Sequence, residues 1–292
     1  MNGTIRFPHL GISLPSVGKN IDVFGFSIAY YGIVMACAMI AGYFVARKQA
    51  VRLGDNGEVV IDLAMWDIIF AILGARIYYV IFSWDYYSAR PMEIFNIRGG
   101  GMAIYGGVIA GVITTYIIAR VKKLSFRHLT DVACCGLLVG QIFGRWGNFF
   151  NREAFGGYTD GLLAMQIPRA DVRSGDLTSD LLRHLVTVDG VEYIQVHPTF
   201  LYEALWNIGV LAVILLYTRH RRYQGQLFLL YLFGYGLGRV WIEGLRTDQL
   251  TWMGTGIAVS QILSGILVLA SGGMLFYQYV KGRRKRYIER AH

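Results

Sequence analysis

Charge is scarce in this chain. Only 16% of its 292 residues are Asp, Glu, Lys or Arg, against about 25% in an average soluble domain, while 54% are hydrophobic and the mean hydropathy is +0.43. That balance excludes a soluble globular enzyme and points to an integral membrane protein. Cysteine is scarce too: Cys37, Cys134 and Cys135 are the full set. All three fall in apolar stretches, without the spacing or the His and Asp company of a metal site, and are expected to be small buried apolar residues. No metal and no organic cofactor is expected. The chain has no convincing internal repeat, which weighs against the inverted-repeat plan of many secondary transporters. A secretory signal peptide is also not expected, because the first apolar run begins near Val23 with no basic region before it and runs too long before any small-residue cleavage site.

What is present is a set of apolar stretches of about 20 residues separated by short basic blocks. Arg47, Lys48 and Arg52 follow the first stretch, Arg120, Lys122, Lys123 and Arg127 the third, Arg219, Arg221 and Arg222 the fifth, and Lys281 to Arg290 the last. The formal net charge of +9 is therefore dispersed between spans rather than gathered on a face or groove, so nucleic acid is not an expected partner. Every second loop is basic, the positive-inside pattern.

Spans are expected at about 24–46, 60–83, 101–120, 129–147, 199–217, 226–243 and 256–280, each long enough for about 30 Å of hydrocarbon. The expected fold class is thus an all-α integral membrane protein, a bundle of about seven transmembrane helices forming one polytopic domain over residues 1–292. An odd count with a basic tail at 281–292 puts the C-terminus in the cytoplasm and the N-terminus outside. The one long polar segment, 149–196, then becomes a small extracellular cap between the fourth and fifth helices. Its turn signals include Asp189-Gly190, with Val186 to Val196 expected as a short hairpin. Trp84, Tyr86 and Tyr87 read as an interfacial aromatic belt leading to an amphipathic piece around Pro91 to Ile97.

Three clusters carry chemistry. In Gly234-Tyr-Gly-Leu-Gly-Arg-Val-Trp-Ile-Glu-Gly-Leu-Arg246, helical spacing brings Tyr235, Arg239, Glu243 and Arg246 within roughly an 80° wedge. Charge at a helix centre in a bilayer costs at least about 2.5–3.5 kcal/mol per Arg or Asp, so such a stripe marks a polar cavity or substrate path. Arg239 and Glu243, four apart, also suit simple mutual neutralisation. The second cluster is Gly144-Arg-Trp-Gly-Asn-Phe-Phe-Asn-Arg-Glu153, where Arg145 and Asn148 share a helical face. A planar guanidinium with an amide beside it fits a phosphate, whereas a lone helix-end Arg would be expected to snorkel. The third is Gly99-Gly-Gly-Met-Ala-Ile-Tyr-Gly-Gly107. Two readings stand for its glycines: amides left free for an anion, or close helix packing through small residues. Glu203, in His197-Pro-Thr-Phe-Leu-Tyr-Glu203, adds a carboxylate at the outer start of the fifth span. Together Arg145, Arg239 and Arg246 would form a cationic pocket trimmed by Glu153, Glu203 and Glu243, whose natural ligand is an anionic phospholipid.

These motifs, with Tyr30-Tyr31-Gly32 and Asn151, resemble the prolipoprotein diacylglyceryl transferases from the first span to the last, in order and in spacing. The resemblance implies a bacterial plasma-membrane enzyme that moves the diacylglyceryl group of phosphatidylglycerol onto the lipobox cysteine of a preprolipoprotein signal peptide and releases glycerol phosphate. It further implies that Arg145 binds phosphatidylglycerol and that Arg239 is a second essential arginine. Tyr31, Gly106, Asn148, Glu153, Glu203, Tyr235, Glu243 and Arg246 would surround them. Some family members carry a histidine in the glycine-rich stretch as the proposed base, and here Tyr105 stands in its place. A phenol of reference pKa near 10 is a poor base at neutral pH. Tyr105 is therefore expected to position substrate, catalysis to be mainly electrostatic through Arg145 and Arg239, and the proton to leave through Glu or water. His197 is a fallback base. The competing class is a transporter or flippase for an anionic lipid or solute, with the charged stripe lining its path, but polar groups down the full length of several helices would then be expected.

Overall fold

The computed structural model describes residues 3–97, 100–249, 251 and 256–291, with side chains followed to residue 282. Gly99 of the glycine run and the basic side chains beyond residue 282 lie outside the described residues. The chain begins with strands β1 (Ile5–Phe7), β2 (Ile12–Leu14), β3 (Asn20–Val23) and β4 (Phe26–Ala29). Helices α1 (Tyr30–Arg52), α2 (Val59–Phe82), α3 (Trp84–Ser88), α4 (Ile104–Val121) and α5 (Phe126–Asn151) follow. Then come β5 (Met165–Pro168), α6 (Ser179–Arg183), β6 (Val186–Val188), β7 (Val191–Val196), α7 (Thr199–Tyr217), α8 (Gln226–Glu243) and α9 (Val259–Ala291).

The protein is mostly helical and belongs in a membrane. Four of its helices, Tyr30–Arg52, Ile104–Val121, Thr199–His220 and Val259–Gly282, are long and apolar enough to cross one by length and composition alone. Buried charge lies on the long helices α2, α5, α7 and α8, at Arg76, Asp131, Glu203 and Glu243 respectively. These are also the helices that hold polar constellations in place. Cys37, expected to be buried, is exposed on α1, because an apolar side chain on a membrane helix loses nothing by facing outward.

The first span starts later than expected. Residues 20–29 form a two-stranded hairpin, β3 with β4, rather than the first turns of a helix. Phe24 (φ 50) and Gly25 (φ 81) give the tight two-residue turn that matches strand twist, and Tyr30 N–H then bonds Lys19 C=O at 2.9 Å. Hydropathy alone does not separate a short helix segment from strands, so this apolar stretch carries no local signal against helix. The polar segment between α5 and α7 is likewise β-rich, so the fold is not purely α. Its five-stranded sheet has the order β2-β1-β5-β7-β6, and two of those strands come from the N-terminus, which the sequence reading did not foresee. The hairpin across Asp189 (φ 52) and Gly190 (φ 78) is present.

Two compact units divide the chain. The first, Met1–Gly42 with Gly136–Arg219 and Leu229–His292, has its core under the sheet: Ile5, Phe7, Phe149, Phe155, Ile167, Ile194 and Phe200 are buried together. In this unit α8 is flanked closely on two sides. Trp206 lies over Gly238 and donates from Nε1 to Gly234 C=O at 2.8 Å, while Val268 of α9 approaches Gly236. On a helical wheel Gly234 and Gly238 fall on one flank of the Tyr235–Arg239–Glu243 stripe, and Gly236 on the other, at about 100° per residue. The alternating glycines therefore let α7 and α9 close in while the polar stripe keeps its own face.

The second unit, Tyr43–Cys135 with His220–Phe228, is built on the α2–α4 pair. Side chains at Gly74 or Gly106 would collide with the opposite helix, with Gly106 O and Gly74 O respectively, and Gly107 faces Ala71. Small residues here allow backbones to meet, the usual device for helices that gain no hydrophobic advantage from associating in lipid. Asp131, fully buried, accepts Gly225 N–H at 2.7 Å and Phe228 N–H at 2.8 Å, and faces Arg221 Nε at 3.4 Å. Its carboxylate thus serves the orphan amides at the start of α8 from a different helix. His128 Nε2 meets Asp55 Oδ2 at 2.6 Å in the same cluster.

Candidate active site

The end of α5, the start of α7, the end of α8 and the turn after it meet in the first unit, and the backbone explains why. Residues 155–157 run as an extended connector. Gly156 and Gly157 exchange hydrogen bonds with His197 on one side, while Gly157 N–H and Thr247 N–H bond Leu245 C=O (2.9 Å) and Phe155 C=O (3.3 Å) on the other. Gly156 has no room for a side chain, since one would lie 2.7 Å from His197 Cβ and 2.8 Å from Leu245 O. The connector thereby ties the entry of α7 and the exit of α8 to the end of α5.

On this frame the charged side chains form one alternating ribbon. Arg145 Nε meets Glu203 Oε2 at 2.8 Å, and Arg239 Nη1 meets the other oxygen of Glu203, Oε1, at 2.8 Å. Arg239 Nη2 continues to Glu243 Oε2 at 2.6 Å, which Arg246 Nη1 approaches at 3.4 Å, and Arg246 closes on Asp248 through Nε at 3.0 Å and Nη2 at 2.8 Å. Ser260 Oγ, on the first turn of α9, donates to Glu243 Oε1 at 2.7 Å. Glu203 is only 4% exposed. A carboxylate so buried would be costly alone, and a guanidinium on each oxygen is what makes it tolerable.

A branch leaves the ribbon at Arg145. Its Nη1 donates to Asn148 Oδ1 at 3.4 Å, Asn148 Nδ2 donates to Glu153 Oε1 at 3.1 Å, and Asn151 Nδ2 reaches the same oxygen at 3.1 Å. Arg173 approaches Glu153 Oε2 at 3.4 Å. Tyr31 crosses α5 at Gly147, where an added Cβ would touch its ring at 2.6 Å. Tyr235 stacks on Tyr231 at 5.8 Å, and Tyr231 hydroxyl accepts from Gln141 Nε2 at 2.9 Å.

The residues read from the sequence as one site in this unit therefore do come together: Arg145, Asn148, Glu153, Glu203, Arg239, Glu243 and Arg246 are continuously linked. Their electrostatics differ from the expected cationic pocket. With Asp248 counted, three arginines face three carboxylates along the ribbon, so an anion would be held by guanidinium edges and oriented donors rather than by excess positive charge. Asp248 and Ser260 escaped the sequence reading because neither lies on the α8 wheel; only Asp248's nearness to Arg246 hinted at it. Tyr105 and Gly106 belong to the second unit, where Tyr105 is exposed on the first turn of α4 and Gly106 is buried against Gly74 and Tyr78. Arg152, adjacent in sequence to Glu153, is buried and structural. It donates to Phe150 C=O at 2.9 Å and to Val17 C=O, and its Nε lies 3.1 Å from Asp171 Oδ2, off the line of a hydrogen bond.

His197 stands apart from the ribbon's pairs. Its Nδ1 lies 3.3 Å from Tyr202 hydroxyl, and burial lowers its pKa, which keeps the ring neutral at pH 7. Its backbone carries the connector bonds whatever its side chain, so His197→Gln is expected to keep activity within about threefold of the parent in a lipid-transfer assay. A loss of a hundredfold would instead make the imidazole the base.

A family model described as prolipoprotein diacylglyceryl transferase matches residues 20–277. The phosphatidylglycerol–prolipoprotein diacylglyceryl transferase of Clostridioides difficile (strain 630) is 40% identical over 266 residues, covering 91% of this chain and 96% of that protein. Its namesake in Listeria innocua is 39% identical over 269 residues, 92% of each chain. The one in Bacillus licheniformis is 40% identical over 264, covering 90% of this chain and 93% of its own. The matched range includes α5, α7 and α8, the helices that build the ribbon, and this chain belongs to the prolipoprotein diacylglyceryl transferase family.

Proposed function

We propose that the protein transfers the diacylglyceryl group of phosphatidylglycerol to the thiol of the lipobox cysteine in a preprolipoprotein signal peptide. The carbon–oxygen bond between the diacylglyceryl unit and phosphate breaks, a carbon–sulfur bond forms, glycerol phosphate leaves with the bonding electrons, and the thiol proton passes to a carboxylate or water. Full-length similarity to proteins of that name supports the reading. The observation that carries it is the Arg145–Glu203–Arg239 bridge, two guanidiniums aligned 2.8 Å either side of one carboxylate.

In this mechanism Glu203 holds Arg145 and Arg239 at a fixed separation so that their remaining N–H edges meet the phosphate oxygens as charge builds on them. Donors already oriented need no reorganisation in the transition state, which is the main source of electrostatic catalysis. Asn148 extends the cradle, Tyr31 and Tyr235 flank it, Arg246 fixes Glu243, and Tyr105 with Gly106 forms the substrate-positioning element of α4. A thiol of ordinary pKa about 8.5 needs only modest help to ionise, so no strong base is required. The seven long helices serve as transmembrane spans of a bacterial plasma-membrane protein. The β-rich cap and the N-terminus are outside, and the basic blocks and C-terminus are cytoplasmic, as the alternation of Lys and Arg requires.

The test is direct. Purified protein is incubated with phosphatidylglycerol and a synthetic lipobox peptide, and the peptide is examined for a diacylglyceryl mass increment on its cysteine. The increment is expected. Its absence beside an active control enzyme would overturn the assignment in favour of a lipid-binding or transport role.

A further inference from the structure

Arg76 is the most unusual side chain outside the ribbon. It sits in the body of α2, is 6% exposed, and among the described residues has no carboxylate as an ion-pair partner. Instead it collects backbone carbonyls. Nε donates to Ile94 C=O at 2.8 Å, Nη1 to both Gly100 C=O and Gly101 C=O at 2.8 Å, and Nη2 to Glu93 C=O at 2.5 Å. Tyr87 covers the guanidinium at 5.1 Å. Glu93 offers only its main chain, because its carboxylate accepts Tyr86 hydroxyl at 2.6 Å. A planar fork of five donors suits this task, whereas a point-charge ammonium does not.

The acceptors belong to the segment that leads into α4. Gly100 (φ +85) and Gly101 (φ +73) adopt left-handed backbone, which turns two successive carbonyls toward the same nitrogen, and a Cβ at 101 would lie 2.7 Å from Arg76 Nη1 and from Tyr79 Cε1. Two residues on, Ala103 N–H bonds Ala75 C=O at 3.0 Å, next to Arg76 itself. Ala103 is the N-cap of α4, and Tyr105 is that helix's second residue. These glycines thus gather carbonyls around a cation rather than amides around an anion.

We infer that Arg76 is a positioning residue for the reaction, one that fixes the Gly100-Gly101 turn and through it the orientation of Tyr105. This rests on the reading of Tyr105 as the group that orients substrate, and the two are separable by experiment. Arg76→Gln, Arg76→Lys and Gly101→Ala are made in the full-length protein, alone and with Tyr105→Phe, and assayed for transfer to the lipobox peptide. Thermal midpoints check that each variant is folded. Arg76→Gln is expected to lower kcat by about tenfold or more with KM for phosphatidylglycerol within about twofold. Arg76→Lys should recover part of the loss, and Gly101→Ala should reproduce it while residue 76 remains an arginine. In the Tyr105→Phe background the Arg76→Gln penalty should shrink below about threefold, because coupled groups are non-additive.

A second measurement needs no turnover: the ¹⁹F spectrum of 3-fluorotyrosine placed at position 105. Arg76→Gln and Gly101→Ala should each shift or split a resonance that is single in the parent. An undisturbed resonance, or a penalty of full size in the Tyr105→Phe background, would overturn the inference. A parent protein without transferase activity whose resonance still responds to Arg76 would sink the function reading and leave the positioning role standing.

Discussion

Replacing Arg239 with alanine is expected to lower kcat for diacylglyceryl transfer by about 10²–10³-fold, the range seen when one oriented donor is removed from a developing oxyanion. The fold should survive, because both carboxylates that Arg239 touches keep other partners. Glu203 retains Arg145 at 2.8 Å, and Glu243 retains Ser260 at 2.7 Å and Arg246 at 3.4 Å. Arg239→Lys sharpens the test. A lysine restores the charge but not the planar fork that meets two carboxylates and still presents an edge to phosphate. Its thermal midpoint should therefore return close to the parent while its turnover stays low. Parallel recovery of stability and activity would show that Arg239 acts only as a counter-ion, and the mass-increment assay on purified protein distinguishes the two outcomes.

Glu203→Gln should produce the largest loss of stability. The carboxylate is 4% exposed and serves two arginines from its two oxygens. A glutamine keeps one acceptor and turns an N–H donor toward a guanidinium, leaving buried positive charge uncompensated. Breaking a buried ion pair by removing one partner costs about 3–5 kcal/mol, far more than the intact pair contributes in net terms. The catalytic signature is as informative as the melting curve. With one negative charge gone the ribbon becomes net cationic, so KM for phosphatidylglycerol should not rise, while kcat should fall as Arg145 and Arg239 lose their fixed separation. A raised KM with unchanged kcat would mean that Glu203 contacts the substrate itself.

The parts of this site legible in the sequence were those carried by helix periodicity. Tyr235, Arg239, Glu243 and Arg246 recur at three- and four-residue intervals, and Arg145 with Asn148 does the same on α5. Side chains at those spacings share a face whatever the helix packs against. The alternating glycines of Gly234-Tyr-Gly-Leu-Gly were visible too, but their use was not: Trp206 and Val268 occupy the two flanks from helices distant in sequence. The glycine run before Tyr105 allowed two readings, and the structure gave each glycine pair a separate task. Gly106 and Gly107 admit α2, whereas Gly100 and Gly101 present carbonyls to Arg76. The strands were the least legible. Arg6 pairs with Gln166 across the whole of α1 to α5, and no local pattern in three apolar-alternating residues announces such a partner.

By itself the sequence determined the solvent this protein lives in, the positions of α2, α4, α5, α7 and α8 to within about four residues, and the stripe of charge on α8, because hydropathy and helical period are local properties of the chain. Tertiary structure alone decided which partners that charge takes. Glu203 standing between Arg145 and Arg239, Asp248 and Ser260 completing the series, and a lone arginine held by four carbonyls all depend on where separate segments meet. Burial then enforces the pairing, since a charge removed from water is tolerated only where partners from other elements surround it.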